Sequence, residues 1–405
     1  MRRQCVILSA GLCAALASIG DAASQSIIEN LDVFGQAQLR LELADQDGFP
    51  EDSTALTLRL RPGVEFRVTP KLTVLFEAEA VVGIVRDFND TSGNFTDRPV
   101  IADPDSFEVN RLQLQYNFDP ETFVTLGRQQ IRVDDQRFIG QAPFRQNDQT
   151  YDAVHFSTGA FGSATVQAGY IDQVNRVLGG DSPIGTYEGA SYYVNVNVPT
   201  PIGRVGAFHY ALDLGTPTPT ALDNQFSSRT SGVRIDGRWH YELIGIDWEA
   251  SYARQIDFSD NPNDYAADYW LIGANFLLER ASLGLRYEIL GDGGSQSFQT
   301  PLAALHKFNG AADIFLITPE GGFSDLDASA AWNFGDVGPF EAVKTTFNYH
   351  TYASDRTGVQ LGDEINAGVT ARLGPFNVAA TWADYRANTF AVDTKRFFLS
   401  LQYLF

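Results

Sequence analysis

The sequence predicts an all-β fold: a transmembrane antiparallel up-and-down β-barrel of about 18 strands that follows a cleaved signal peptide. Three observations carry that expectation. Apolar and polar residues alternate with period two over long segments. The connections between the segments alternate between short turns and long loops. The chain opens with an export signal. Composition sets the frame: 405 residues hold 50 acids against 29 bases, a formal net charge of -21. That balance excludes the basic footprint of a nucleic-acid binder and of a polybasic membrane-surface protein. A content of 44% hydrophobic and 12% aromatic residues is too rich for disorder.

Arg2 and Arg3 give a positive start, residues 6–19 form an apolar stretch, and Gly20 and Ala22 supply the small residues of a cleavage site. Residues 1–22 therefore read as a signal peptide and 23–405 as the barrel. Cys5 and Cys13 both fall inside the signal, so the exported chain has no disulfide and no thiol ligand. No run of 18 apolar residues follows, so no spanning helix is expected.

The first strand shows the pattern. Leu31, Val33, Ala37, Leu39, Leu41 and Leu43 share one face; Gln36, Gln38, Arg40 and Glu42 share the other. The next sets Leu56, Leu58, Leu60, Val64 and Phe66 against Thr57, Arg59, Arg61, Glu65 and Arg67. Continued along the chain, alternation gives strands over 31–43, 54–68, 71–85, 107–118, 121–132, 149–158, 162–173, 188–198, 203–213, 229–242, 244–257, 267–278, 281–290, 324–334, 341–352, 361–373, 375–386 and 395–405. Soluble strands average about five or six residues, whereas these approach the span a tilted membrane strand needs. Short turns at Pro70, Asp119–Pro120, 159–162, 199–203, 279–280, 335–339 and Gly374–Pro375 alternate with long loops, the longest being 86–106, 133–148 and 291–323. An even strand number then puts both ends of the barrel on the short-turn side. Phe118, Phe123, Phe161, Phe334, Phe340 and Phe376 crowd that side as an interfacial girdle. Phe397, Leu399, Leu401, Tyr403 and Phe405 form the apolar face of the last strand, which resembles an outer-membrane assembly signal.

A barrel of this size is too wide for its side chains to fill, so a water-filled channel is expected. Its cations are almost all arginine, with lysine only at Lys71, Lys307, Lys344 and Lys395. Arginine's fork suits carboxylate or phosphate. Arg40, Arg59, Arg61, Arg67, Arg111, Arg234 and Arg238 fall on polar strand faces, where free guanidinium groups would favour anions. Glu42, Glu65, Glu77, Glu79, Asp236, Glu242 and Glu249 are equally placed to pair with them and brace the wall. Both roles stay open for each arginine, and the cluster of Arg59, Arg61 and Arg67 leans toward selectivity. The acidic segment 87–97 lacks the glycine spacing and closing glutamate of a calcium loop, so no metal site is expected.

Two loop strings go further. GRQQIRVDDQRFIGQAPFRQNDQTYDAV (127–154) and TPLAALHKFNGAADIFLITP (300–319), with the signal and the terminal strand, resemble the alginate export family of outer-membrane barrels. That resemblance implies a monomeric channel in the outer membrane of a Gram-negative bacterium. It also implies an arginine-lined constriction and acidic, uronate-type polysaccharide as the founding substrate class. It places Arg128, Arg132, Arg137, Arg145, Gln146, His306 and Lys307 in family-like positions, on loops long enough to fold into the pore. Asp134, Asp135, Asp148 and Asp152 offer the alternative of pairing with these arginines. The face of Arg128 is open, because Val124 and Leu126 share its parity. The sequence departs from the family in having Ala311 where the family carries Trp, and in having no segment that would gate a polymer exporter.

The functional expectation is a channel passing anionic solutes or acidic oligo- or polysaccharide. A general diffusion porin without uronate preference is the alternative, and a plugged structural or enzymatic barrel the third reading. Catalysis has little support: Asp236 and His240 share a face but stand about 13 Å apart along the strand. Expected partners are outer-membrane lipid and lipopolysaccharide, an anionic solute, and the barrel assembly machinery through Phe405. No nucleic acid and no cofactor are expected.

Overall fold

The computed structural model describes residues 30–217, 224–242 and 244–405; the export signal and both cysteines lie outside the described residues. A single antiparallel sheet of 18 strands closes on itself. In chain order the strands are β1 (Leu31–Gln46), β2 (Ser53–Thr69), β3 (Leu72–Asp87), β4 (Ser106–Asp119), β5 (Thr122–Gln129), β6 (Thr150–Phe161), β7 (Ala164–Asn175), β8 (Thr186–Thr200), β9 (Gly203–Leu212), β10 (Ser228–Tyr241), β11 (Ile244–Asp257), β12 (Ala266–Leu277), β13 (Ala281–Leu290), β14 (Phe323–Val337), β15 (Phe340–Ser354), β16 (Gln360–Leu373), β17 (Phe376–Ala387) and β18 (Thr394–Leu404). Each pairs with its sequence neighbour, and β1 also pairs with β18 from Gln36↔Leu404 to Gln46↔Thr394. Gly35 and Phe405 extend the seam by exchanging both backbone hydrogen bonds, at 2.7 and 3.0 Å. Closure leaves no edge strand, which is what lets a sheet cross a membrane.

Alternation sorts the side chains as expected. Leu39, Leu60, Val82, Leu114, Leu126, Trp270, Leu283, Phe347 and Leu399 stand exposed on the outside, where lipid rather than water meets them. Arg40, Glu42, Arg59, Arg61, Glu77 and Glu79 are buried on the inside. Phe118, Phe161, Trp239, Tyr241, Trp332, Phe334 and Phe340 form an exposed aromatic belt at the short-turn end.

Two local departures matter. The apolar phase of β4 slips between Val109 and Leu112. A β-bulge opposite Glu77 and Ala78 absorbs the extra residue, so Asn110 and Arg111 both bond Glu77. The strand expected over 121–132 ends at Gln129, because Ile131 and Val133 leave the wall to pack inside the barrel.

Candidate functional site

The interior is not an open cylinder. The loops 130–149 and 291–322 fold inward and pack against each other and against the lumen face of the wall. Ile139 and Leu302 form a short parallel bridge; Gly140 N–H donates to the Leu302 carbonyl and Ala304 N–H to that of Gln136. Ile131, Val133, Ile139, Phe298, Leu302, Ala312 and Phe315 from the loops join Tyr151, Phe208, Tyr210, Tyr269, Phe323, Tyr352 and Tyr385 from the strands in one apolar cluster. Phe138, partly buried, packs against it, 5.0 Å from the Phe208 ring and 5.3 Å from the Tyr269 ring. This buried aromatic surface adds to the polar contacts that hold the loops. The loops also hold strained backbone: Asp134, Gln136, Ala142, Asn309 and Asp313 all take positive φ, between 49° and 69°. Such conformations persist only where surrounding packing over-determines them.

Two buried charge clusters clasp the loops to the wall. In the first, Arg137 (2% exposed) donates to Glu288 of β13 at 2.7 and 3.3 Å, and to Thr300 and Asn309 at 3.0 Å. Glu288 also accepts from Tyr269 at 2.6 Å and pairs with Arg286 at 3.1 Å. In the second, Glu42 of β1 receives Arg40 at 3.1 Å, Arg396 of β18 at 2.8 Å and Arg145 of the first loop at 3.3 Å. Arg145 then reaches Asp313 of the second loop at 2.5 Å, and Asp313 accepts or shares a proton with His306 at 2.8 Å. His306 stacks on Phe144, over which the Arg40 and Arg145 guanidinium groups also lie.

Burial by itself raises the Asp313 carboxyl, but His306 and Arg145 outweigh it and hold it well below the usual carboxylate range. Asp135 behaves alike: burial raises it, and Arg234 and Lys307 hold it lower. Groups with depressed folded values stabilise the docked loops fully above about pH 4, and lose that contribution as pH falls toward the folded value. Single-channel conductance should therefore change as pH falls below about 4, where these two carboxylates take up protons. Unchanged conductance down to about pH 3 would contradict this clasp.

The expected cations fall into distinct settings. Arg61 pairs with Glu79 and with Asp148 at 2.8 Å. Arg111 pairs with Glu77 at 2.7 Å, and Arg234 with Asp135 at 3.0 Å. Arg238 pairs with Asp247 at 2.5 Å. Arg128 pairs with Asp152 at 2.7 Å, standing opposite it in the register that also sets Leu126 opposite Val154. Leu126 and Val154 are exposed on the lipid side, so Arg128 belongs to the outer face of β5. Arg59 is buried without a carboxylate; it donates to the carbonyls of Arg145 and Gln146 and to Gln36. Gln146 itself anchors to Thr57 at 2.7 Å. Arg67 is exposed at the short-turn end of β2 and forms no ion pair among the described residues.

Arg132 and Lys307 differ from the rest. Both are exposed loop residues held by neutral acceptors: Arg132 by Gln141 at 2.6 Å and Gln130 at 3.1 Å, Lys307 by the Asp135 carbonyl at 2.8 Å. The wall of β9–β14 forms a recess of about 630 Å³ lined by Arg204, Arg234, Arg238 and Arg286 and by Asp236, Asp247, Glu249 and Asp327. Arg204, Arg286 and Arg396 were not among the expected site residues. Arg286 sits between lipid-facing Leu285 and Tyr287, so parity alone places it inside.

No family model matches the chain, and no curated protein matches it. Solved structures do. Pseudomonas aeruginosa OccK9 (OpdG) is similar at 13% identity with a TM-score of 0.71, covering 94% of this chain and 100% of that one. The fold is that of an outer-membrane porin. Acinetobacter baumannii OccAB4 is similar at 15% identity and a TM-score of 0.70, covering 93% of this chain and 98% of that one. Pseudomonas aeruginosa OpdK, solved with vanillate, is similar at 13% identity and a TM-score of 0.65, covering 92% and 98%. At such identities the likeness is one of fold. A porin fold with an apolar exterior and an aromatic belt accounts for the placement in the outer membrane.

Proposed function

We propose that this porin-fold chain is an outer-membrane channel for anionic solutes, with acidic, uronate-type saccharide as its preferred class. The observation that carries the reading is the pair Arg132 and Lys307. Both are exposed on the inward loops, and both are held by uncharged acceptors. The charge of Arg132 is left to attract a passing carboxylate, and Lys307 adds to it although it also faces the Asp135 carboxylate, whereas the neighbouring arginines form ion pairs with acids. The resemblance of the two loop strings to alginate exporters supports the saccharide class. The vanillate of the OpdK structure is itself a carboxylate. A general diffusion porin is the second reading. It is favoured by the acid pairing of Arg61, Arg137, Arg145, Arg234 and Arg238, which leaves little uncompensated charge on the wall.

The test is the reversal potential of the refolded protein in a planar bilayer across a KCl gradient, with and without an oligouronate. The wild type should prefer chloride and be blocked by the oligouronate. The Arg132→Glu/Lys307→Glu variant should prefer potassium and lose the block. Identical reversal potentials in the two proteins, with no block in either, would decide for the general porin.

A further inference from the structure

The lipid-facing side of the barrel carries a polar patch that passage through the lumen does not use. Near the long-loop end of β9–β12, cross-strand register lines up His209, Ser231, Arg254 and Asp268 in one row. The row beneath it is Ala207, Val233, Tyr252 and Trp270, of which Val233 and Trp270 are exposed hydrophobics. The alternate residues Phe208, Tyr210, Ala253 and Tyr269 are buried in the interior cluster, so the polar row points outward. Arg229 stands two residues beyond Ser231 on the same face of β10.

The row lies at a defined depth. From Trp239 in the short-turn belt to Ser231 and Arg229, the strand climbs about 20–25 Å along the membrane normal, at ~3.4 Å per residue and a ~40° tilt. That equals the height of the apolar band, so the patch meets the headgroups of the outer leaflet. Tyr252 and Trp270, with ring centroids 4.4 Å apart, mark the interface just below.

The chemistry of the patch favours phosphate. Arg229 is exposed, and among the described residues its guanidinium lies over the Phe258 ring, 5.0 Å away, with no acid paired to it. Asp268 engages Nη1 of Arg254 at 3.2 Å, leaving Nε and Nη2 for another acceptor. Tyr252 also donates to Asp268, at 2.9 Å, which fixes the carboxylate and through it the guanidinium. The Ser231 hydroxyl is shared with His209 at 2.8 Å. The opposite rim has another balance. There Asp45, Asp363 and Asp384 stand with Arg386 and Lys395 along β16–β18 and β1, and acids outnumber bases.

We propose that this patch binds a phosphate of lipopolysaccharide in the outer leaflet. Arg229 and Arg254 hold the phosphate oxygens, Ser231 contributes a hydroxyl, and Val233 and Trp270 meet the first carbons of the acyl chains. The inference rests on the outer-membrane fold and is independent of what the lumen passes.

Native mass spectrometry of the folded protein in detergent tests it, with bisphosphorylated lipid A, dephosphorylated lipid A and inorganic phosphate as probes. The wild type should retain lipid A. The Arg229→Gln/Arg254→Gln variant should bind it at least about tenfold more weakly, as should the wild type with dephosphorylated lipid A. Millimolar inorganic phosphate should leave the adduct in place. Arg229→Gln alone removes no hydrogen bond among the described residues and should by itself weaken binding, with unchanged thermal unfolding. Equal binding by wild type and both variants, or of the dephosphorylated lipid, would overturn the proposal. Displacement by inorganic phosphate would do the same by assigning the patch to free anions.

Discussion

Replacing Arg137 by methionine is expected to widen the channel. Arg137 is the one side chain that joins the first inward loop to the wall strand β13 and to the second loop at once, through Glu288, Thr300 and Asn309. Glu288 is fully buried, and it keeps Arg286, Tyr269 and Asn309 when Arg137 is lost. The cost is therefore at the lower end for a broken buried pair, about 3 kcal/mol, which multiplies the ratio of released to docked loop by about a hundred. Methionine fills the volume without a charge, so wall pairing and the melting of the barrel should hardly change. Higher single-channel conductance together with faster hydrogen exchange over 130–149 is the expected result. Unchanged values for both would mean that the apolar cluster around Phe138 holds the loops without the ion pair.

Glu42→Ala is expected to weaken the seam of the barrel. Glu42 is buried on β1 and receives Arg40, Arg145 and Arg396. Without it Arg40 keeps Asp103 and Arg145 keeps Asp313. Arg396 on β18 keeps only the Val100 carbonyl, at 3.2 Å. A buried guanidinium is thus left without a hydrogen-bonded carboxylate where the two ends of the sheet meet, with Asp313 as its remaining nearby acid, at a cost of about 3 kcal/mol. The variant should lose its folded, heat-modifiable gel mobility at a clearly lower temperature than the wild type. Arg396→Met placed on top of it should restore part of that temperature, because the orphaned charge is gone. If the double variant melts lower than Glu42→Ala alone, the damage lies in the Arg40 and Arg145 contacts instead.

The wall was legible in the sequence because membrane strands obey one rule, period-two alternation over a long span. That rule places every strand and tells the lumen side of Arg59 and Arg234 from the lipid side of Leu58 and Val233. It also contains the information for Arg286, and the slip between Val109 and Leu112 announces the bulge at Asn110. Parity left Arg128 undecided, and only its register opposite Asp152 shows that it keeps company with Leu126 and Val154. The constriction was far less legible. Its clasps join residues 151 and 168 positions apart, Arg137 with Glu288 and Arg145 with Asp313. Nothing local in the chain specifies such partners. A signal did exist in Ile131, Val133, Ile139, Phe298 and Leu302, which are too apolar for loops in water and need an interior to enter.

The seam between β1 and β18 bears on how the molecule comes to exist. Its pairing, from Gln36↔Leu404 onward, brings together segments from almost opposite ends of the chain. Joining them costs about 5 kcal/mol of chain entropy before any hydrogen bond is gained, whereas no other pair closes a connection longer than the loop 291–322. Closure is therefore the costliest pairing, and the sheet without it is an open ribbon with two raw edges. Glu42 and Arg396 lie on either side of that gap, and Arg145 meets the same carboxylate. Until the ribbon has curled shut, the first loop has only part of its docking surface. The narrow passage thus ripens after the cylinder does, and a barrel caught half-made would leak indiscriminately before it could discriminate.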